Sequence, residues 1–555
     1  MSIKKQDRRN FIKLGCAGAS VLIAWPLFQS CADANGTNDP LKLNPDFNPD
    51  IDIKLTAAEQ EIGLFDGRKT KCWSFKSELV KGESDNLQQI PNGYLGPVIK
   101  VRKGQKIRIR FTNELQQESI VHWHGMHVPE EYDGHPADVI SNGETYVYEY
   151  EVMNRAGTYW FHPHPHGKTG EQVYNGLAGM LLVSDEEEES LGLPTGEFDR
   201  SVVIQDRNID NDNQLVYLDN GRMDRMMGFL GDKIFVNGRP EQELSLKAGC
   251  KYRLRILNGS NSRIYKLAWN NGEPLKVIGI DGSILEQPKV MPYLMLAPAK
   301  RIDLWVDLEN KKEGDEIELK SLAFESGMTG GMMNGGMMNS TNTRSPLGSE
   351  YSLFKIKMNE SGSNDFLLPE KLVSYEKLDP NNAINKNNPR EFNFFMQGME
   401  WTINGRTWEG SDVAEEEIVK LDTTEIWQLS NEGGKMMGGN GMMGDGGMMD
   451  SGNGMMGGDN EGDGMGNMMQ MPHPIHIHQV QFNILERDTS EMDPAVWNSI
   501  KDGFINEGWQ DTVLLMPGMK TKIIMRFADF KGIFVYHCHN LEHEDMGMMR
   551  NFKIT

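Results

Sequence analysis

The chain of 555 residues is 38% hydrophobic and 25% charged, enough for three or four folded domains with sizeable cores. A formal net charge of −23 excludes a nucleic-acid-binding protein, because phosphates need a basic face, and favours the approach of cations. Five cysteines in this length outline no disulfide framework.

The N-terminus reads Lys4-Lys5-Gln6-Asp7-Arg8-Arg9-Asn10-Phe11-Ile12-Lys13 and continues into the apolar run 14–28, the layout of a twin-arginine export signal over residues 1–34. That run is shorter than the roughly 20 residues that cross a bilayer, so a periplasmic mature chain without a transmembrane span is expected. Phe28-Gln29-Ser30-Cys31 is an imperfect lipoprotein box, which would make Cys31 a lipid anchor, and Ala32-Asp33-Ala34 offers an ordinary peptidase site. Both stay open. Cys16 lies inside the signal, and spacing does not decide whether Cys72 and Cys250 pair.

Beyond residue 50 a weak repeat occurs three times. It runs from Gly104 to Asn113, from Gly249 to Asn258 and from Asp422 to Asn431, each copy alternating in side-chain character and ending in Asn, as a half-buried strand running into a turn should. A second echo, Val236-Asn237-Gly238-Arg239 and Ile403-Asn404-Gly405-Arg406, precedes the last two. Long amphipathic helical patterns are scarce. The reading is all-β, with three consecutive Greek-key β-sandwich domains at 50–187, 188–358 and 389–555 and a polar linker at 359–388.

All 13 histidines fall in four windows. In chain order these are His122-Trp123-His124 with His127 and His135, Trp160-Phe161-His162-Pro163-His164 with His166, His473-Pro474-Ile475-His476-Ile477-His478, and His537-Cys538-His539 with His543. The middle copy of the repeat has none and reads as a spacer. Each window holds a His-x-His pair, which on a strand sends two imidazoles to one face. Four pairs supply eight imidazoles, while one ion takes about four ligands, so the set implies a multinuclear metal centre between the first and third domains. Cys538 points to the other side of its strand. With His473, His543 and the thioether of Met548 it forms the donor set of a blue-copper electron-transfer site.

Methionine, at 36 residues, clusters in two glycine-rich tracts, 328–338 and 433–471. Glycine at this density holds no regular core, and thioethers select Cu(I) over harder ions. The longer tract immediately precedes His473 and reads as a Cu(I) collector. Met468, Met469 and Met471 are the candidate substrate-copper ligands.

With these motifs in this order, residues 50–555 resemble the multicopper oxidases of the three-domain laccase type, and most nearly the bacterial periplasmic cuprous oxidases. The resemblance implies cupredoxin-like domains and four copper ions, one of type 1, one of type 2 and two of type 3. It places the type 1 ion on His473, Cys538 and His543 with Met548 axial, in preference to Met546 or Met549. It places the type 2 ion on His122 and His476, and the type 3 pair on His124, His162, His164, His478, His537 and His539. The preceding Trp160-Phe161 favours His162 and His164 over His166, which joins His127 and His135 as a supporting or surface residue. Asp133 and Glu544 match the family's acidic positions near the trinuclear cluster, where carboxylates relay protons. The implied reaction oxidises Cu(I) to Cu(II) and reduces O2 to water, in copper tolerance, by a monomer. The alternatives are a broader laccase acting on phenols or aromatic amines, a ferroxidase, and a copper-sequestering protein without turnover. In the known cuprous oxidases the methionine-rich insert comes earlier in the third domain and also carries histidine, a departure that leaves the substrate ligands open.

Overall fold

A computed structural model describes residues 40–328, 345–432 and 470–555. The export signal, Cys31, Met468 and Met469 lie outside these. Among the described residues no helix is long and apolar enough to cross a membrane, and Cys72, Cys250 and Cys538 are buried and free.

The repeat strands lie inside three sheets in equivalent surroundings. Lys106–Asn113 runs parallel to Ile51–Ile62 and antiparallel to Thr145–Glu151. Lys251–Asn258 is parallel to Asp199–Ile209 and antiparallel to Arg301–Asp307, and Thr423–Ser430 is parallel to Arg390–Gln397 and antiparallel to Lys520–Phe527. A parallel pair inside a largely antiparallel sheet demands a crossover connection rather than a hairpin. Repeating that demand three times produces the three β-sandwiches. Each of these sheets has a second sheet in the same stretch of chain, and each stretch has its own apolar cluster, built around residues such as Phe111 and Trp123, Leu254 and Phe354, and Trp427 and Phe552. The sequence echo is a pair of tight hairpins: Asn237 and Gly238, like Asn404 and Gly405, have positive φ between bridged neighbours, the conformation that favours Asn-Gly in two-residue turns.

The expected half-buried alternation holds in Lys106–Asn113 and fails in Lys251–Asn258, which is buried throughout. Arg253 and Arg255 occupy its outward positions and are enclosed in a salt-bridge network with Glu188, Asp199 and Asp303. Charge pairing buries a face that its polarity would otherwise expose.

Three features position the candidate sites. In one sheet Val121–His124 pairs with Gly157–Pro163, setting His122 opposite His162. In another, His473–Ile477 lies between Thr512–Leu515 and Gly532–Cys538, with His476 opposite His537. After Cys538 the short helix Leu541–Asp545 starts at Asn540, whose side chain accepts from the His543 backbone N–H.

Candidate metal centres

The alternation of the Gly532–Cys538 strand separates two sites. Cys538 faces the apolar cluster that holds Met548, Trp427 and Phe552. Its sulfur lies 3.4 Å from His473 Nδ1 and 3.8 Å from His543 Nδ1. The Cys538 N–H donates to the Met548 carbonyl at 3.0 Å and the Met548 N–H to the His543 carbonyl at 2.9 Å, so backbone bonds hold all three residues in one small loop. The Asn540 N–H donates to the sulfur at 3.4 Å. Burial pushes the Cys538 thiol pKa up; a thiolate here needs a cation beside it.

On the other side, eight imidazoles converge. Their rings form two triangles and a pair. His164, His478 and His537 have centroids 4.9 to 5.3 Å apart; His124, His162 and His539 lie 5.1 to 5.7 Å apart; His122 and His476 stand 5.5 Å apart with their Nε2 atoms at 3.2 Å. In the first triangle His537 Nε2 is 3.2 Å from His478 Nε2 and 3.3 Å from His164 Nε2. Nitrogens held tetrahedrally at about 2.0–2.1 Å from one ion stand roughly 3.3 Å apart. His162 Nε2 and both nitrogens of His539 are buried without a hydrogen-bond partner among the described residues, which leaves one lone pair on each ring free for metal. Nitrogens of His122, His124 and His162, and of His122, His476 and His478, also lie within 4.8 Å of one another, so the eight rings can be shared among ions in more than one way.

Two carboxylates lie beside the imidazoles. The Asp133 backbone carbonyl accepts from His122 Nδ1 at 2.7 Å, and its Oδ2 accepts from His478 Nδ1 at 2.8 Å. Glu544 comes within 3.1 Å of His537 Nδ1 and 3.6 Å of His164 Nε2, though not in hydrogen-bonding alignment. Of the remaining histidines, His127 bonds the Gln479 carbonyl and Asp529, His135 bonds Asn551, and exposed His166 lies against Trp408. All three are outside the cluster. Met471 is 2% exposed within the same apolar cluster as Cys538, and Asn431 Nδ2 donates to its carbonyl at 2.7 Å. The bond joins the two ends of the 433–469 tract. Met471 therefore offers no exposed thioether to an arriving ion.

Several neighbours escape a linear reading. The Trp401 ring lies 4.3 Å from His543, tilted by 32°, and meets His473 edge-on at 5.0 Å. Its indole N–H and His543 Nε2 both reach the Met226 carbonyl at 3.1 Å. Met226 lies on the helix Arg222–Met227, which packs against Leu541–Asp545. The methionines of that helix, Met223, Met226 and Met227, were visible in the sequence, but nothing local ties them to a cysteine 300 residues away.

Burial, and then the mutual repulsion of neighbouring imidazolium charges, drives His122, His124, His164, His476, His478, His539 and His543 well below the ordinary histidine range. Burial alone takes His473 to about 3, and dominates in taking His162 to about 4. The folded state keeps these rings neutral, whereas the unfolded chain takes up protons below about 6.5, so unfolding binds protons and stability falls with falling pH. At pH 5 the cost is about 2 kcal/mol for each such ring. Asp133, raised by burial and by Glu130 and Asp138, and Asp545 and Glu542, raised chiefly by burial, oppose the trend but are outnumbered by the rings. Calorimetry of copper-stripped protein is expected to show the melting temperature dropping steeply from pH 7 to pH 5; a flat profile would contradict the buried-neutral arrangement.

Family models described as multicopper oxidase match residues 75–188, 200–315 and 463–555. A multicopper oxidase of Staphylococcus haemolyticus is 30% identical over 489 residues, 87% of this chain and 88% of its own. The laccase of Bacillus subtilis is 27% identical over 517 residues, 83% of this chain and 88% of its own. Among solved structures, the McoA multicopper oxidase of Aquifex aeolicus matches with a TM-score of 0.70 and 30% identity, over 92% of this chain and 97% of that one. The chain belongs to the multicopper oxidase family, with the family's cupredoxin-like sandwiches and copper chemistry. It is an oxidoreductase that uses O2.

Proposed function

We propose that the protein oxidises Cu(I) to Cu(II) and reduces O2 to two waters, four Cu(I) and four protons being consumed per O2. It would hold four copper ions, with His473, Cys538, His543 and Met548 as the type 1 ligands, His122 and His476 as type 2, and His124, His162, His164, His478, His537 and His539 as type 3. Bound copper supplies the one-electron redox changes and the binding of O2. Cys538 and its peptide bonds to His537 and His539 join the two sites through a short covalent path. Asn540 steadies the sulfur through its N–H. Asp133 and Glu544, both buried at the cluster, would pass protons inward. The domains would span 50–187, 188–358 and 389–555, and residues 1–34 would direct export to the periplasm, with Cys31 as the alternative lipid anchor.

The observation that carries the choice of Cu(I) is a fringe of thioethers. Met223, Met328, Met396 and Met546, all partly buried, pack against the apolar cluster that contains Cys538 and Met548, and His543 is 0% exposed beneath Met226. Soft donors thus line the apolar cluster that holds Cys538, and neither the His473 nor the His543 imidazole presents an exposed edge to a bulky phenol. The test compares kcat/KM for Cu(I), Fe(II) and a phenol in the intact protein and in one lacking 433–470. The deletion is expected to lower Cu(I) oxidation on the order of tenfold, about 1.4 kcal/mol in transition-state stabilisation, and to raise phenol oxidation. Unchanged Cu(I) rates would reject the collector role of the tract. Copper-loaded protein that consumes no O2 with any donor would instead be a copper store.

A further inference from the structure

We propose that Asp511 is a positioning residue that sets which nitrogen of His124 faces the histidine cluster, and that Arg301 of the middle sandwich is the clamp that holds it in place. The inference rests on the copper assignment of the cluster and is independent of the electron donor.

His124 differs from its neighbours. His122, His162, His476, His478 and His537 each engage a protein oxygen through Nδ1, which leaves Nε2 for the cluster. His124 is reversed: its Nε2 lies 3.0 Å from Asp511 Oδ1, and its Nδ1 is buried without a partner among the described residues. A neutral imidazole carries its proton on the nitrogen that meets an acceptor and its lone pair on the other, so the partner of one nitrogen chooses the ligand atom. A carboxylate accepts only. Thr512, 3.2 Å from the same Nε2, has a hydroxyl placed to donate to Asp511 Oδ1 at 3.0 Å.

Asp511 is held from the second sandwich. Arg301 Nη1 donates to Oδ1 at 2.7 Å and Nη2 to Oδ2 at 2.5 Å, a two-pronged fork that only a planar guanidinium presents. The fork is itself fixed, by Arg301 Nε to the Thr158 carbonyl at 2.9 Å and Nη1 to the Ala299 carbonyl at 3.0 Å. Beside it, Lys300 Nζ bonds Asp281, Gln510 and the Thr512 carbonyl at 2.8, 2.9 and 2.7 Å. The backbone carbonyl of Asp511 also accepts from His476 Nδ1 at 2.7 Å, and the His124 and His476 rings stack at 3.6 Å. One residue thus orients two imidazoles. Gly125, directly after His124, has φ +83°, and a Cβ there would collide with Asp511 Oδ2 and stand 3.2 Å from Arg301 Nη2. The glycine of His-Trp-His-Gly is the space this pair occupies. The middle sandwich, without a histidine, is no spacer: it reaches the cluster through Arg301.

The test is Asp511→Asn in the full chain. An amide presents one donor and one acceptor, so either Arg301 or His124 must face a donor. Copper affinity of the histidine cluster is expected to fall about 10–100-fold. The readouts are copper content after dialysis against graded chelator and the electron paramagnetic resonance spectrum. The intense visible absorption of the Cys538 site is expected to stay. If that variant does not fold, Arg301→Lys decides, since a lysine cannot form the fork and the same selective loss is expected. A folded variant with wild-type copper content and an unchanged cluster spectrum overturns the proposal. So does equal loss from both sites, which would mean a general structural role. Wild-type protein holding copper only at Cys538 would overturn the cluster assignment itself, and this inference with it.

Discussion

Replacing Cys538 by serine is expected to abolish the intense visible absorption of the copper-loaded protein and to reduce O2 uptake to background with every donor, while copper bound by the histidine cluster is retained. The sulfur is the soft, polarisable donor between His473 and His543, 3.4 and 3.8 Å away, and a serine oxygen is hard and seldom deprotonated. The substitution is nearly isosteric in a fully buried position, and the Asn540 N–H remains to meet the hydroxyl. The fold should therefore survive, which makes spectrum and turnover the informative measurements. Retained colour or retained turnover in Cys538→Ser would remove the basis for electron uptake at this residue.

The complementary loss is expected from Gly134→Ala. Gly134 has φ +80°, and a Cβ there would strike the Val121 carbonyl and lie within 2.8 Å of the His122 Cα. Neither backbone atom can swing aside as a side-chain tip could. The residue before it, Asp133, accepts from His122 through its carbonyl and from His478 through its carboxylate, so any shift is passed to two imidazoles. Left-handed strain plus overpacking should cost about 3 kcal/mol or more. In folded protein the cluster copper should be lost while the Cys538 absorption persists. Denaturant melts and copper content measure both parts, and a variant with wild-type stability and a filled cluster would refute the packing argument.

The strands and the opposite facing of Cys538 and its neighbouring histidines were legible because their causes are local. A period of two puts His122 and His124 on one face and sends Trp123 into the apolar core, and the same rule turns Cys538 away from His537 and His539. Trp160, read only as a marker of register, stacks 4.2 Å from His162. Burial of Lys251–Asn258 was not legible, since it depends on the partners of Arg253 and Arg255 from a helix and from another strand. Nor was the burial of Met471, because the tract before it gives no sign of where its ends meet.

Spacing and residue chemistry were sufficient to specify three sandwiches and the separation of Cys538 from the clustered histidines onto two sides of one strand, since each follows from side-chain direction within a few residues. The folded molecule alone decided which nitrogen each imidazole presents, that Met226 and Trp401 cover His543, and that Arg301 grips Asp511. Those contacts join residues 175 to 317 positions apart. Such partners are chosen by how the sandwiches meet, which no local periodicity encodes.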